Sequence, residues 1–139
     1  MAQLARLGVS LDGDLLKQFD RLISQRGYTN RSEAFRDLIR DELVEADWEA
    51  GTHETAGIVS LVYDHDSMEL AQKLTEMQHD SFGAIISSLH VHLDKHNCLE
   101  VLVLKGRASD IRRLGERLIS VRGVKHGKLT LATTGKHLG

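Results

Sequence analysis

The first hydrophobic pattern in the chain has a period of two. Leu7, Val9 and Leu11 alternate with Arg6, Gly8 and Ser10, as in a strand with one buried face. The period then lengthens. Leu15, Leu16, Phe19, Leu22 and Ile23 recur at helical spacing behind Asp12, a capping residue, and Gly27 supplies the stop. A second helix opens at Asn30, with Glu33 three residues on as in a capping box, and runs through Ala34, Phe35, Leu38, Ile39, Leu43 and Val44. Residues 1–46 therefore predict strand, helix, helix. From Asp47 to Thr55 the apolar period lapses, so residues 47–55 read as a linker. Beyond it the pattern predicts a strand over 57–63, a helix over 67–78, strands over 84–93 and 98–104, a helix over 109–121 and a last strand over 124–131. This βαββαβ order across residues 56–132 is the ferredoxin-like (ACT-like) arrangement, an antiparallel sheet with both helices on one face. The fold class is α+β. Residues 133–139 carry no pattern and read as a mobile tail.

A segment of about 45 residues lies near the lower limit for folding alone, so the N-terminal piece is expected to be an obligate dimer. With 41% hydrophobic and 27% charged residues the composition is that of a soluble globular protein. No apolar run approaches the ~18 residues needed to span a membrane, and the start MAQLARLGVSL lacks a signal-peptide pattern, so a cytoplasmic location and no membrane partner are expected. Cys98, the only cysteine, excludes an intrachain disulfide and leaves a thiol for metal or chemistry. Residues 1–40 hold seven Lys/Arg and five Asp/Glu, a balance of +2, whereas residues 41–139 hold eleven and fifteen, a balance of −4. That asymmetry has the sign expected of an N-terminal DNA-binding segment, but it is too small to argue for one alone.

The chemistry gathers near the predicted hairpin. His90 and His92 stand two residues apart, so their side chains share a face, and after the polar turn Asp94-Lys95-His96-Asn97 the chain returns with Cys98 and Glu100 on that same face. Leu89, Val91 and Leu93, with Leu99, Val101 and Val103, take the other face, where the helices are expected. Two imidazoles and a thiol at one end of a hairpin suit a late first-row divalent metal. A plainer reading, a small buried cysteine beside solvated histidines, fits the spacing as well, and spacing alone leaves both open. His79, in Gln78-His79-Asp80, closes a predicted helix away from the hairpin turn, and a site shared between two subunits would join it to the other three. Ile86, Leu102 and Leu104 extend the histidine face as apolar residues with no helix expected over them, which marks that face as a subunit interface. Glu100 is read either as an acceptor for a ligating imidazole or as a solvated strand carboxylate. His53, His65, His96, His126 and His137 find no partner by spacing and default to surface roles.

Taken as a whole, the sequence resembles the nickel-responsive regulator family. The resemblance is carried by Gln78-His79, by Leu89-His90-Val91-His92 eleven residues on, and by Cys98-Leu99-Glu100. Gly27-Tyr28-Thr29-Asn30-Arg31-Ser32-Glu33-Ala34 and Arg122-Gly123-Val124-Lys125-His126-Gly127 support it. It implies a repressor that binds operator double-stranded DNA when Ni(II) fills a square-planar site of His90, His92 and Cys98 from one subunit and His79 of the partner subunit, in a homotetramer made as a dimer of dimers. It also implies that strands over residues 5–11 pair and enter the major groove, with Arg6, Gly8 and Ser10 facing bases, and that Asn30, Arg31 and Ser32 meet a phosphate at a helix start. A second cation site, for K+, would map to Glu33 and Asp37 with main-chain oxygens of Ile119, Val121 and Val124. Three departures stand out. Gly8 offers no side chain to a base, Ser67 and Met68 replace basic residues of some relatives, and Asp80-Ser81-Phe82 follows His79 where other members continue with histidines.

Other functions are weighed against this one. A regulatory domain for an amino acid or for copper, cobalt or zinc keeps the fold and changes the ligand. An enzyme built on the His/Cys cluster lacks a placed general base and a glycine-rich phosphate loop. An antitoxin-like ribbon-helix-helix protein would need none of the C-terminal ligands.

Overall fold

A computed structural model describes residues 3–81 and 83–139 of the chain. Met1, Ala2 and Phe82 lie outside the described residues, and with them one residue of the departure noted after His79. The chain divides into two compact units, residues 1–43 with 137–139, and residues 44–136.

In the first unit, α1 (Gly13–Gln25) starts where Asp12 accepts hydrogen bonds from the amides of Asp14 (2.9 Å) and Leu15 (3.2 Å), which satisfies two of the donors that a helix start leaves free. Gly27, at φ +86°, ends it in the left-handed region that glycine adopts without strain. The second helix, α2 (Arg31–Ala50), starts where Asn30 accepts from the Glu33 amide at 3.0 Å. Phe19 and Phe35 stack with ring centroids 5.1 Å apart, beside buried Ile23 and Ala34. Leu15, Leu22, Leu38, Ile39 and Leu43 stay exposed. Among the described residues the predicted N-terminal strand finds no pairing partner within one chain, and Leu7 and Val9 are exposed there.

The second unit holds β1 (Glu54–Asp64), α3 (Met68–Asp80), β2 (Ile85–His92), β3 (Asn97–Arg107), α4 (Ala108–Ile119) and β4 (Val124–Leu131). The four strands form one antiparallel sheet in the order β2-β3-β1-β4, the ferredoxin-like order. Its core is the side of the sheet that carries Val59, Leu61 and Tyr63 of β1 and Leu102 and Leu104 of β3, covered by Leu70 and Leu74 of α3 and Ile111, Leu114 and Leu118 of α4. Small residues let α4 approach. A Cβ on Gly127 would stand 2.9 Å from two carbons of Ile119, and one on Gly57 would stand 3.0 Å from Ile111.

Three expectations need correction. The region predicted as a linker is largely ordered, because α2 continues unbroken to Ala50 and Gly51, at φ +74°, ends it. Trp48 is buried there, donating its indole N–H to the Ala132 carbonyl at 2.9 Å, with Arg112 over its ring. The expected mobile tail is engaged as well, since Arg40 donates to the carbonyls of Leu138 (2.9 Å) and Gly139 (3.2 Å). The third correction concerns the faces of the hairpin. Leu102 and Leu104 are fully buried beneath helices, while Leu89, Val91 and Leu93 are exposed, so the histidine face is the helix-covered one and the bare apolar face is its opposite.

The reversal can be measured. Leu102→Ala is expected to cost about 2–5 kcal/mol in chemical denaturation, the range for emptying a packed leucine site. Leu89→Ser is expected to act instead on self-association, read by sedimentation. A small loss for Leu102→Ala would overturn the assignment of faces.

Candidate metal centre

Antiparallel register decides which donors meet. His92 of β2 stands opposite Cys98 of β3, and His90 opposite Glu100, so all four side chains leave the sheet on one side. Cys98 in turn pairs with Tyr63 of β1, and its thiol donates to the Tyr63 carbonyl at 3.4 Å. The rings of His90 and His92 lie 5.2 Å apart. Both are exposed, whereas Cys98 is fully buried, and that burial pushes the thiol above its ordinary range. Proton loss from Cys98 must therefore accompany any metal bound there.

Glu100 resolves differently from either sequence reading. Its carboxyl group is buried, and both oxygens already accept bonds, Oε2 from the Tyr63 hydroxyl and Oε1 from the Gln78 amide, each at 2.6 Å. Burial first, and the bond to Glu100 second, hold the Tyr63 phenol above its ordinary pKa, so it remains a donor. The Tyr63 hydroxyl oxygen also lies 3.5 Å from His90 Nδ1. Tyr63 and Gln78 are thus the residues that sequence reasoning missed. Only the alternation of β1, which puts Tyr63 on the face of Leu61 and Val59, could have signalled the first.

His79 is in the last turn of α3 and exposed. Among the described residues, the side chains that bring ligand atoms within 4.8 Å of one another are Asp64, His65 and Asp66, so one chain does not gather His79, His90, His92 and Cys98. The donor set nevertheless fits nickel chemically, since two imidazoles and a thiolate on one face suit tetragonal nitrogen and sulfur ligation.

In the N-terminal unit Arg6, Gly8 and Ser10 are exposed, as are Asn30, Arg31 and Ser32. Asn30 acts as the cap of α2, and the Arg31 guanidinium is held by Asp20 through two bonds of 2.8 Å. Glu33 and Asp37 line a cavity of about 240 Å³ with Tyr28, Arg36 and Arg40. Asp37 accepts there from the Tyr28 hydroxyl at 2.5 Å and from Arg40 at 3.3 Å. In the other unit Ile119 ends α4, and the Val121 carbonyl accepts the Val124 amide at 3.1 Å.

Two family models divide the chain. The ribbon-helix-helix protein, copG family, matches residues 5–46, and the NikR C terminal nickel binding domain matches residues 56–132. The chain belongs to the nickel-responsive regulator family. Nickel-responsive regulators from Nitratidesulfovibrio vulgaris (strain DSM 19637 / Miyazaki F) and Solibacter usitatus are 61% and 59% identical to it over 138 residues, 99% of both chains in each case. One from Thermococcus onnurineus is 54% identical over 136 residues, 98% of this chain and 99% of its own. An uncharacterized protein from Thermotoga maritima shares the fold at a TM-score of 0.50 and 20% identity, covering 56% of this chain and 96% of its own. The family is one of regulators and not of enzymes, pairing a DNA-binding ribbon-helix-helix segment with a nickel-binding domain. No helix among the described residues is long and apolar enough to cross a membrane.

Beside the hairpin, the hydrogen bond from His96 Nδ1 to Asp66, 3.0 Å long, raises the imidazole pKa. A group whose pKa is higher in the folded state contributes most when protonated, and loses that contribution as pH rises through the folded value. In metal-free protein, an NMR titration of His96 is expected to show a midpoint above the ordinary value of about 6.5. Asp66→Asn should return it toward that value, and an unchanged midpoint would remove Asp66 as the cause.

Proposed function

We propose that the protein is a nickel-dependent transcriptional repressor of the cytoplasm, binding operator DNA when Ni(II) is held by His90, His92 and Cys98 of one chain and His79 of the partner subunit. The observation that carries this reading is the hairpin register, which sets His92 opposite Cys98 with His90 on the same face, while His79 stands exposed at the end of α3. The bound ion would supply a rigid tetragonal link between chains. The exposed leucines of the sheet and of the first unit support a dimer of dimers.

In this reading two chains pair their residues 5–11 into a ribbon for the major groove, with Arg6, Gly8 and Ser10 toward the bases. Asn30, Arg31 and Ser32 lie at a helix start, where backbone N–H groups favour a phosphate. Because Asp20 holds the Arg31 side chain, its main-chain N–H is the better donor. A potassium ion at Glu33 and Asp37 belongs to the same proposal, and there it would compete with Tyr28 and Arg40 for Asp37. Nickel favours operator binding only if the DNA-binding conformation also holds the shared ligands in reach, and DNA would then tighten nickel reciprocally.

The shared site is tested by mixing His79→Ala with the triple variant His90→Ala, His92→Ala, Cys98→Ala, neither of which can complete a site. After subunit exchange, part of the sulfur-to-nickel charge-transfer absorption of the four-ligand site should return. Confirmed exchange without that signal would show the site is not shared. For the DNA segment, Arg6→Ala is expected to cost about 1–3 kcal/mol on the operator and less on random DNA. An equal loss on both would make Arg6 a phosphate contact.

A further inference from the structure

The first turn of α2 carries one basic side chain, that of Arg31, directly after the cap Asn30. Its guanidinium is turned onto Asp20 of α1, where Nε donates to Oδ1 and Nη2 to Oδ2 at 2.8 Å each. Both carboxylate oxygens are thus engaged, in the planar fork that arginine presents and lysine cannot. Those bonds hold the Asp20 carboxyl below its ordinary range and the guanidinium above its own. The two side chains remain 53% and 41% exposed, so the pair lies where a DNA phosphate can compete for the guanidinium. Among the described residues, the other ion pair of this unit, Arg40 with Asp37, lies further along α2.

A guanidinium that neutralises a phosphate releases counterions on any sequence, whereas a backbone N–H or a hydroxyl orients the same phosphate without adding a cation. Residues 1–40 carry a balance of only +2, so one guanidinium more or less per chain weighs on the sequence-independent attraction. We propose that Asp20 is a positioning residue that sets DNA specificity: it holds the Arg31 guanidinium off the phosphates and leaves the start of α2 to meet them through main-chain N–H groups and the Ser32 hydroxyl. The Asp20–Arg31 pair has no net charge, so random DNA gains little from it. Base contacts from the ribbon then make up a larger share of operator binding. The inference rests on the DNA-binding reading above, in which the start of α2 faces a phosphate.

The test is a double-mutant cycle on the full, nickel-loaded chain, with Asp20→Asn, Arg31→Gln and the double variant. Fluorescence anisotropy follows binding from about 50 to 200 mM salt, on a random-sequence duplex and on one selected from a random pool by the wild type. On random DNA, Asp20→Asn is expected to steepen the slope of log affinity against log salt by about 0.9 for each Arg31 side chain it frees. Preference for the selected duplex should fall several-fold in the same variant. Arg31→Gln should flatten the slope by that amount only in the Asp20→Asn background, because glutamine keeps the main-chain N–H. Equal flattening in both backgrounds would show that Arg31 already neutralises a phosphate beside Asp20, and would overturn the proposal. An unchanged slope in Asp20→Asn would overturn it too, with Asp20→Ser repeating the measurement should Asp20→Asn fold poorly. A wild type that prefers no selected duplex would fail the repressor reading instead, while the slopes on random DNA report Asp20 separately.

Discussion

Among the described residues, Glu100 is the acidic side chain that folding takes out of water, and a buried polar atom left without a partner costs about 1–3 kcal/mol. Its two oxygens must therefore be met, and the donors come from different elements: Tyr63 from the end of β1 and Gln78 from the last turn of α3. Tyr63 is the register partner of Cys98, and Glu100 that of His90. One carboxyl group thus ties β3 to the end of β1 and seats α3 against them. Consecutive helical residues point about 100° apart, so the bond that turns Gln78 inward carries His79 around toward solvent. The exposure of His79 follows from the burial of Glu100.

Much of this was legible in the chain. The period of each segment, the caps at Asp12 and Asn30 and the stop at Gly27 are local signals, and every predicted element but the N-terminal strand formed near its place. The faces of the hairpin were not legible, because β3 is apolar on both: Leu99, Val101 and Val103 alternate with Cys98, Leu102 and Leu104. A strand with two apolar faces has no period to say which one a helix covers. Exposed Leu89 and Val91 on β2 reinforced the wrong choice. The extent of α2 was hidden for another reason. Asp47, Glu49 and Ala50 break the apolar rhythm, yet no glycine breaks the helix before Gly51, and Trp48 alone anchors that turn.

At the candidate metal centre, residue types and spacing were visible in the sequence, and long-range bonding was not. Histidines two apart on a strand must share a face, which needs no tertiary information. Tyr63 and Gln78 lie 37 and 22 residues from Glu100, so only the folded sheet brings them together. The same holds for His65 and His96. Each seemed solitary by spacing, but the turn after β1 and the turn before β3 meet through Asp66.

Three surfaces of the chain are incomplete by themselves. Among the described residues, 3–11 have the alternation of a strand but no strand beside them, the bare sheet face exposes Leu89 and Val91, and His79 is exposed at the end of α3. A single self-complementary interface yields a dimer and saturates, whereas two distinct ones on each chain generate a closed tetramer. In the proposed assembly the ribbon would supply one such interface, since a strand can satisfy its backbone groups by pairing with its own copy. The second unit would then supply the other, through its bare face, through the proposed shared ligands, or through both. In the proposed assembly nickel would bind at an interface and not within a rigid pocket, so its free energy adds to association and becomes conditional on how the chains are arranged. That conditionality is what a metal-dependent switch requires, because an ion bound equally well in every arrangement would shift none of them.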